Sequence, residues 1–166
     1  MNPAHPKRGL ALSLSKGFTL IELLVVIGIL AVLLVIVLIA INPARQFAQA
    51  NNTKRRSDVL TILNSIHQFA ADNQGNLPGN IAGLTAGTAY NIQNGATNAD
   101  FCAQVMPTYV SALPTDPILN VAAITNCTTY NTGYQIARDA SNRITISAPS
   151  TDVTVTPLGA IVSVTR

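Results

Sequence analysis

The chain has 166 residues, which is enough for one small domain beside a membrane anchor. Its formal net charge of +3 would favour nucleic acid or anionic lipid as a partner if the charge formed a surface patch. The whole basic excess lies before Gly17, at Lys7, Arg8 and Lys16, and the rest of the chain is formally neutral. We therefore interpret these residues as an orientation signal, because basic flanks of a membrane span stay cytoplasmic.

A short leader and a long apolar segment begin the chain. Residues 1–17 are predicted to be a basic leader that is removed. The run 18–41 is apolar except for Thr19 and Glu22, and as a helix it would measure about 36 Å, enough for a bilayer core of about 30 Å. Pro43 lacks a backbone donor and disfavours helix at Asn42, so we predict a helix break there. Residues 18–43 are thus the predicted membrane span.

The segment 16–22, with the sequence Lys-Gly-Phe-Thr-Leu-Ile-Glu, carries a family resemblance. It resembles the processing site of type IV pilins and of the pseudopilins of type II secretion, and the similarity covers roughly residues 16–70. The resemblance implies cleavage between Gly17 and Phe18 by a prepilin peptidase and methylation of the new amine of Phe18. It also implies that Glu22 acts in filament assembly. The expected function is a structural subunit of a pilus or secretion filament.

The resemblance implies partners and a location as well. The partners would be further copies of the chain in a helical homopolymer, the prepilin peptidase, an inner-membrane assembly platform, and membrane lipid before assembly. Nucleic acid would join them only for a DNA-uptake pilin. The precursor would cross the membrane once, with its N-terminus in the cytoplasm and its head outside, and the filament would be periplasmic or extracellular. The alternative is an uncleaved single-pass membrane protein whose exterior domain binds a ligand or partner.

Residues 44–74 are predicted to form an amphipathic helix. Its apolar side chains recur at steps of three and four residues, which places them on one face: Val59, Ile62, Leu63, Ile66, Phe69 and Ala70. Arg55, Asp58 and Gln68 fall outside this stripe, and we expect them to lie away from the core. Gly75 suits a left-handed cap at the end of the helix.

The region 75–166 is predicted to be a β-rich head. Residues 75–98 look like a connecting loop, and 99–106 could hold one short helix. Residues 113–117 are predicted to be extended or turned and are similar to a Pro-x-Asp-Pro element of pseudopilins. Some pseudopilins bind calcium in the loop after that element, but this chain has too few nearby carboxylates for a hard cation.

Strands are expected towards the end of the chain. Segments 133–138 and 143–148 flank a four-residue turn with Asx residues at both ends, which is typical of a hairpin. Segments 152–156 and 160–165 are rich in β-branched residues, with a turn at 157–159 between them. The predicted fold is therefore α+β and pilin-like. A long N-terminal helix packs its second half on a small antiparallel sheet of three or four strands.

Cys102 and Cys127 fit an exported domain with one disulfide, and two buried free thiols are the alternative. His67 is the only histidine after the leader, so we predict no metal site. The sequence contains no phosphate-binding glycine loop, no Gly-x-Ser-x-Gly and no His-Glu-x-x-His. We therefore expect neither an enzyme nor a cofactor.

Overall fold

A computed structural model of the protein describes residues 17–156 and 161–166. The chain divides into two compact units, with the boundary between Asn42 and Pro43. The predicted α+β class is confirmed: an apolar N-terminal helix is followed by a second helix and a four-stranded antiparallel sheet. The leader as far as residue 16, the predicted turn at 157–159 and residue 160 lie outside the described residues.

The first unit is built on one helix, α1, which spans Leu20–Ile41. Every residue of α1 is exposed within its unit. It is the one helix in the described part of the chain that is long and apolar enough to cross a membrane. Such a surface is stable in lipid, where a helix satisfies all its backbone groups internally.

The second unit begins with α2, which spans Pro43–Asp72. Proline fits the first position of a helix, since its ring fixes a helical φ and its missing donor has no helical partner there. Shortly after the last helical residue, Gln74 and Gly75 have φ values of 57° and 87°, and the Gly75 amide donates to the Ala70 carbonyl at 2.8 Å. The predicted glycine cap is therefore confirmed.

Four antiparallel strands follow, and they lie side by side in chain order. Their bounds are Ala89–Gln93 for β1, Asn131–Arg138 for β2, Ile144–Ala148 for β3 and Val162–Thr165 for β4. A short helix, α3, spans Cys102–Val105 between β1 and β2. The hairpin β2–β3 turns at Asp139, whose side chain accepts hydrogen bonds from the amides of Ser141 and Arg143.

The core lies between α2 and the sheet. The predicted helix stripe contributes Val59, Ile62, Leu63 and Ile66, all with no exposed surface. They pack with alternate residues of the strands: Ile92, Tyr134, Ile136, Ile144, Ile146, Ala148 and Val162. Backbone contacts of α2 run mainly to β3 and β4, so the helix covers one face of the sheet.

Two predicted segments differ from the structure. The expected loop at 75–98 contains β1, in which Tyr90 and Ile92 turn inward and pair the segment with β2. The predicted strand 152–156 is instead a turn of 3₁₀ helix, Val153–Val155. The reason is local: the carboxylate of Asp152 accepts hydrogen bonds from the amide and hydroxyl of Thr154, at 3.0 and 2.6 Å. An Asx turn of this kind competes with an extended backbone.

The expectation that Arg55 and Asp58 lie away from the core is wrong. Arg55 is 3% exposed and Asp58 is 9% exposed, whereas Gln68 is exposed as predicted. Both buried side chains have partners of complementary charge or hydrogen-bonding capacity, described below. The helix face buried against the head therefore extends beyond its apolar stripe.

Candidate functional site

The described residues that precede α1, 17–19, are exposed. A Cβ atom added at Gly17 would meet no other described residue within 4 Å, and the Phe18 side chain is 83% exposed. The bond between these two residues lies before the first helical residue, Leu20. This exposed peptide bond lies outside the helix, so a protease can reach it without unwinding α1.

Thr19 and Glu22 form a capping box at the start of α1. The carboxylate oxygen Oε2 of Glu22 accepts hydrogen bonds from the Thr19 amide and the Thr19 hydroxyl, both at 2.8 Å. The Glu22 amide in turn donates to the Thr19 hydroxyl at 3.3 Å. Two amide groups that the helix leaves unpaired are thereby satisfied.

The cap assigns Glu22 a role within its own helix. Sequence analysis singled out Glu22 for filament assembly, but it did not identify Thr19 as its partner in a helix cap. The signal was present, since Thr-x-x-Glu before an apolar run is the pattern of a capping box. The expected role of Glu22 in filament assembly stays a prediction.

The predicted interruption near Pro43 falls on Asn42. This residue has φ 45° and ψ 79°, in the left-handed region, and separates the end of α1 from the start of α2. Asparagine tolerates this conformation better than most residues with a side chain. The break therefore uses a left-handed residue as well as the proline.

A second cluster of polar residues lies in the head. The guanidinium of Arg55 on α2 donates from Nε and Nη2 to the two carboxylate oxygens of Asp116, at 2.9 and 2.8 Å. The hydrogen bonds to Asp116 raise the pKa of Arg55 above its ordinary value, against the opposing effect of burial. Asp116 also accepts from the Ile118 amide, and its own amide donates to the Thr132 carbonyl. The segment 113–117, which was predicted to be extended or turned, thus docks on α2 through an ion pair.

One turn further along α2, Asp58 joins the helix to the sheet. The hydroxyl of Tyr134 on β2 donates to Asp58 Oδ2 at 2.7 Å, and Lys54 Nζ lies 3.1 Å from the same oxygen. Burial, together with the bond to Asp58, raises the pKa of Tyr134. Asn52 extends the cluster by exchanging hydrogen bonds with the backbone of Asp152.

The predicted cysteine pair is present as a disulfide. Cys102 on α3 is joined to Cys127, with their Cα atoms 5.6 Å apart. The bridge closes the loop that carries Asp116, and inside that loop Leu113 and Ile124 pair through two backbone hydrogen bonds of 2.9 and 2.8 Å. Disulfide, backbone bridge and ion pair therefore hold one loop at three points.

The structure brings Gly17, Phe18 and Glu22 together in one short segment, and it places Pro43 and the two cysteines in the second unit. Among the described residues, no group of three or more His, Cys, Asp or Glu side chains is arranged to hold a metal ion.

Comparison with known protein families finds a match near the start of the chain. Residues 12–38 match the family model described as the prokaryotic N-terminal methylation motif. Neither the curated proteins nor the solved structures contain a match to the chain. The matched region includes Gly17, Phe18, Thr19 and Glu22 and most of α1. The chain therefore carries the N-terminal signature of the type IV pilins and pseudopilins, which indicates a pilin-like precursor.

Proposed function

We propose that the chain is a structural subunit of a type IV pilus or of a type II secretion-like filament. The proposal rests on the N-terminal methylation motif at residues 12–38. A prepilin peptidase cuts between Gly17 and Phe18, and the new amine of Phe18 is methylated. The mature subunit begins at Phe18 and keeps α1 as both its membrane anchor and its assembly helix.

The properties of α1 support this double use. Apart from Glu22, the residues of α1 are apolar, and all of them are exposed within their unit, so they can contact lipid before assembly and neighbouring copies of α1 afterwards. Extraction from the membrane then need not expose the surface to water, because one apolar environment replaces another. The inner-membrane assembly platform would carry out this transfer.

We assign one role to each segment of the chain, in order from the N-terminus. Residues 1–17 are a leader that keeps the N-terminus in the cytoplasm, 18–43 are the anchor and assembly helix, 44–74 link the anchor to the head, and 75–166 complete a head outside the membrane. The disulfide supports an oxidising location for the head. The role is structural, and no catalytic step is assigned to the chain.

The mass of the protein purified from membranes tests the proposal. Processing predicts the mass of residues 18–166 plus one methyl group. Gly17→Val should give an uncut precursor, because a branched side chain adjoins the scissile bond. An N-terminus that is intact in the wild type would contradict the proposal and favour the uncleaved single-pass membrane protein with an exterior binding domain.

A second measurement asks whether the mature protein polymerises. Filaments sheared or extracted from the producing cells should contain the chain, with Phe18 as its first residue by mass spectrometry. Absence of the mature protein from any filament would leave a processed membrane protein and would contradict the structural role.

A further inference from the structure

The dipeptide Asn94-Gly95 directly follows β1. It is the only Asn-Gly pair in the sequence, and in the structure Gly95 is exposed and Asn94 is half-buried. An asparagine before glycine is among the most reactive amides in proteins, because glycine has no side chain to shield its backbone nitrogen from the amide carbon beside it. The pair also suits a turn, so the contacts around it decide whether it can react.

The backbone amide of Gly95 is held by a carboxylate. It donates to Asp100 Oδ2 at 3.1 Å, and the other oxygen, Oδ1, accepts from the hydroxyl of Tyr130 at 2.9 Å. Both oxygens of Asp100 therefore act as acceptors, as they do in the ionised form. A carboxylate within hydrogen-bond reach of an N–H group can take up the proton while the nitrogen attacks a carbonyl. Asp100 is placed to do this for Gly95.

The side-chain carbonyl of Asn94 has a partner as well. Its oxygen, Oδ1, accepts from the backbone amide of Tyr130 at 3.4 Å. When a nucleophile adds to this carbonyl, negative charge develops on the oxygen, and a fixed N–H donor stabilises that charge. The backbone carbonyl of Asn94 accepts from the Asn98 side chain at 3.3 Å, which draws electron density from the peptide and makes the N–H of Gly95 easier to deprotonate.

We propose that the folded head modifies itself at Asn94, with Asp100 as the base. The nitrogen of Gly95 attacks Cγ of Asn94 and its proton passes to Asp100. The side-chain nitrogen of Asn94 then takes up that proton and leaves as ammonia, so that a cyclic succinimide remains. One water molecule opens the succinimide at either of its carbonyl carbons. The net reaction consumes water, releases ammonia and leaves aspartate or isoaspartate at position 94.

The product changes the charge of the head. The chain after Gly17 is formally neutral, so the new carboxylate at position 94 gives it a net negative charge. This carboxylate adjoins the Gly95 amide, which Asp100 already holds, and like charges at such a place repel each other. The reaction occurs once in each chain. The inference does not depend on the proposed function, because every group involved lies in the second unit.

Mass spectrometry of the full chain in detergent tests the proposal. The protein is incubated in water enriched in heavy oxygen, so that residue 94 gains heavy oxygen only if it reacts after purification. The folded wild type should convert Asn94 faster than the same chain unfolded in urea, where the contacts are lost. Asp100→Asn should slow the reaction of the folded protein by about a hundredfold, the lower end of the effect of a positioned base. Asparagine keeps the shape of aspartate but does not take up the proton.

A second Asn-Gly pair in the same chain is the matched control. Gln74→Asn creates the dipeptide just after α2, where the Gly75 amide donates to the neutral carbonyl of Ala70 at 2.8 Å. Residue 74 has φ 57°, which asparagine tolerates. Position 74 of this variant should react much more slowly than Asn94. Both rates come from one folded sample with an unaltered site, so the comparison holds even if Asp100→Asn does not fold.

Three outcomes would overturn the proposal. If Asn94 reacts no faster in the folded wild type than in urea, the fold does not promote the reaction. If folded Asp100→Asn reacts at the wild-type rate, the carboxylate is not the base. If position 74 of Gln74→Asn reacts as fast as Asn94, any Asn-Gly pair in the chain reacts and the contacts around Asn94 have no effect.

Discussion

Arg55 and Asp116 are 61 positions apart in the chain and meet as a buried, two-pronged ion pair, with N–O distances of 2.9 and 2.8 Å. The side chain of Arg55 is 4% exposed and that of Asp116 is fully buried. The two charges neutralise each other, and neighbouring polar groups complete their hydrogen bonds. The pair therefore fixes the position of the disulfide-closed loop on α2.

Removing one member of this pair should destabilise the head strongly. Arg55→Met or Asp116→Leu leaves a buried charge without its partner, which typically costs about 3–5 kcal/mol. The double variant should recover much of the loss, because no lone charge remains. Unfolding of the full chain in detergent can be followed by tyrosine signals, since all four tyrosines lie after Pro43. Arg143→Ala, at an exposed ion pair with Asp139, is the matched control and should change stability little.

The disulfide should add to the same loop's stability. Replacing Cys102 and Cys127 by serine should lower the free energy of unfolding by about 2–4 kcal/mol, because the open loop gains freedom in the unfolded chain. Peptide mapping without reductant should find the two cysteines linked. Protein isolated without reductant whose thiols react with an alkylating agent would contradict the assignment.

Stability should fall in alkaline solution because of Tyr134. Its pKa is raised in the folded protein by burial and by the bond to Asp58, whereas the unfolded chain releases the proton near pH 10. The folded state therefore binds more protons above pH 10. The stability that Tyr134 contributes through its raised pKa is fully present below pH 10. Above pH 10 the free energy of unfolding falls by about 1.4 kcal/mol per pH unit until the folded protein also releases the proton.

Tyr134→Phe isolates this contribution. The variant should be less stable than the wild type near pH 7, where it lacks the bond to Asp58, and its stability should decline less steeply above pH 10. Tyr130, whose pKa is also raised by burial and by Asp100, supplies part of the remaining slope. An unchanged slope in Tyr134→Phe would show that this hydroxyl is not protected in the folded state.

Gly133 is a position where alanine should be poorly tolerated. Its φ is +76°, and an added Cβ would lie 2.9 Å from the Cβ of Asp116 and 3.0 Å from a methyl group of Leu119. Gly75→Ala is the matched control, because Gly75 has φ +87° but open space around it. The control should lose about 1–2 kcal/mol from backbone strain alone, and Gly133→Ala should lose clearly more. Equal losses would mean that the Asp116 loop can move aside freely.

Substitutions at Thr19 and Glu22 can distinguish the role of the helix cap from the role of the Glu22 charge. Glutamine also serves in a capping box, so Glu22→Gln keeps the cap and removes the charge, whereas Thr19→Ala removes the hydroxyl and keeps the charge. If the carboxylate pairs with the Phe18 amine of a neighbouring copy, Glu22→Gln should insert normally but enter filaments poorly, and Thr19→Ala should assemble well.

The opposite pattern identifies a role confined to the helix end. In that case Thr19→Ala and Glu22→Ala should resemble each other, and Glu22→Gln should assemble like the wild type. Filament yield is measured in cells without a wild-type copy. The amount of membrane-inserted protein is measured in parallel, so that failure to insert is not counted as failure to assemble.

Much of this fold could be predicted from the spacing of apolar residues along the chain and from local turn residues. The apolar run, the helix stripe that begins at Val59 and the Asx turn at Asp139 each act over a few residues, and α1, α2 and the β2–β3 hairpin follow them. Residues 89–93 were obscured by a glycine- and asparagine-rich neighbourhood, because their strand depends on pairing with β2. The burial of Arg55 was not predictable from its own surroundings, since its partner Asp116 comes from a distant loop.

The packing of α2 against β4 has a consequence for the growing chain. Ribosomes deliver α2 long before the residues of β4, and until these arrive β3 has an unpaired edge and part of the α2 stripe remains uncovered. A head that lacks β4 therefore exposes an unpaired edge of β3 and part of the apolar stripe of α2, two features that favour association with other unfinished chains.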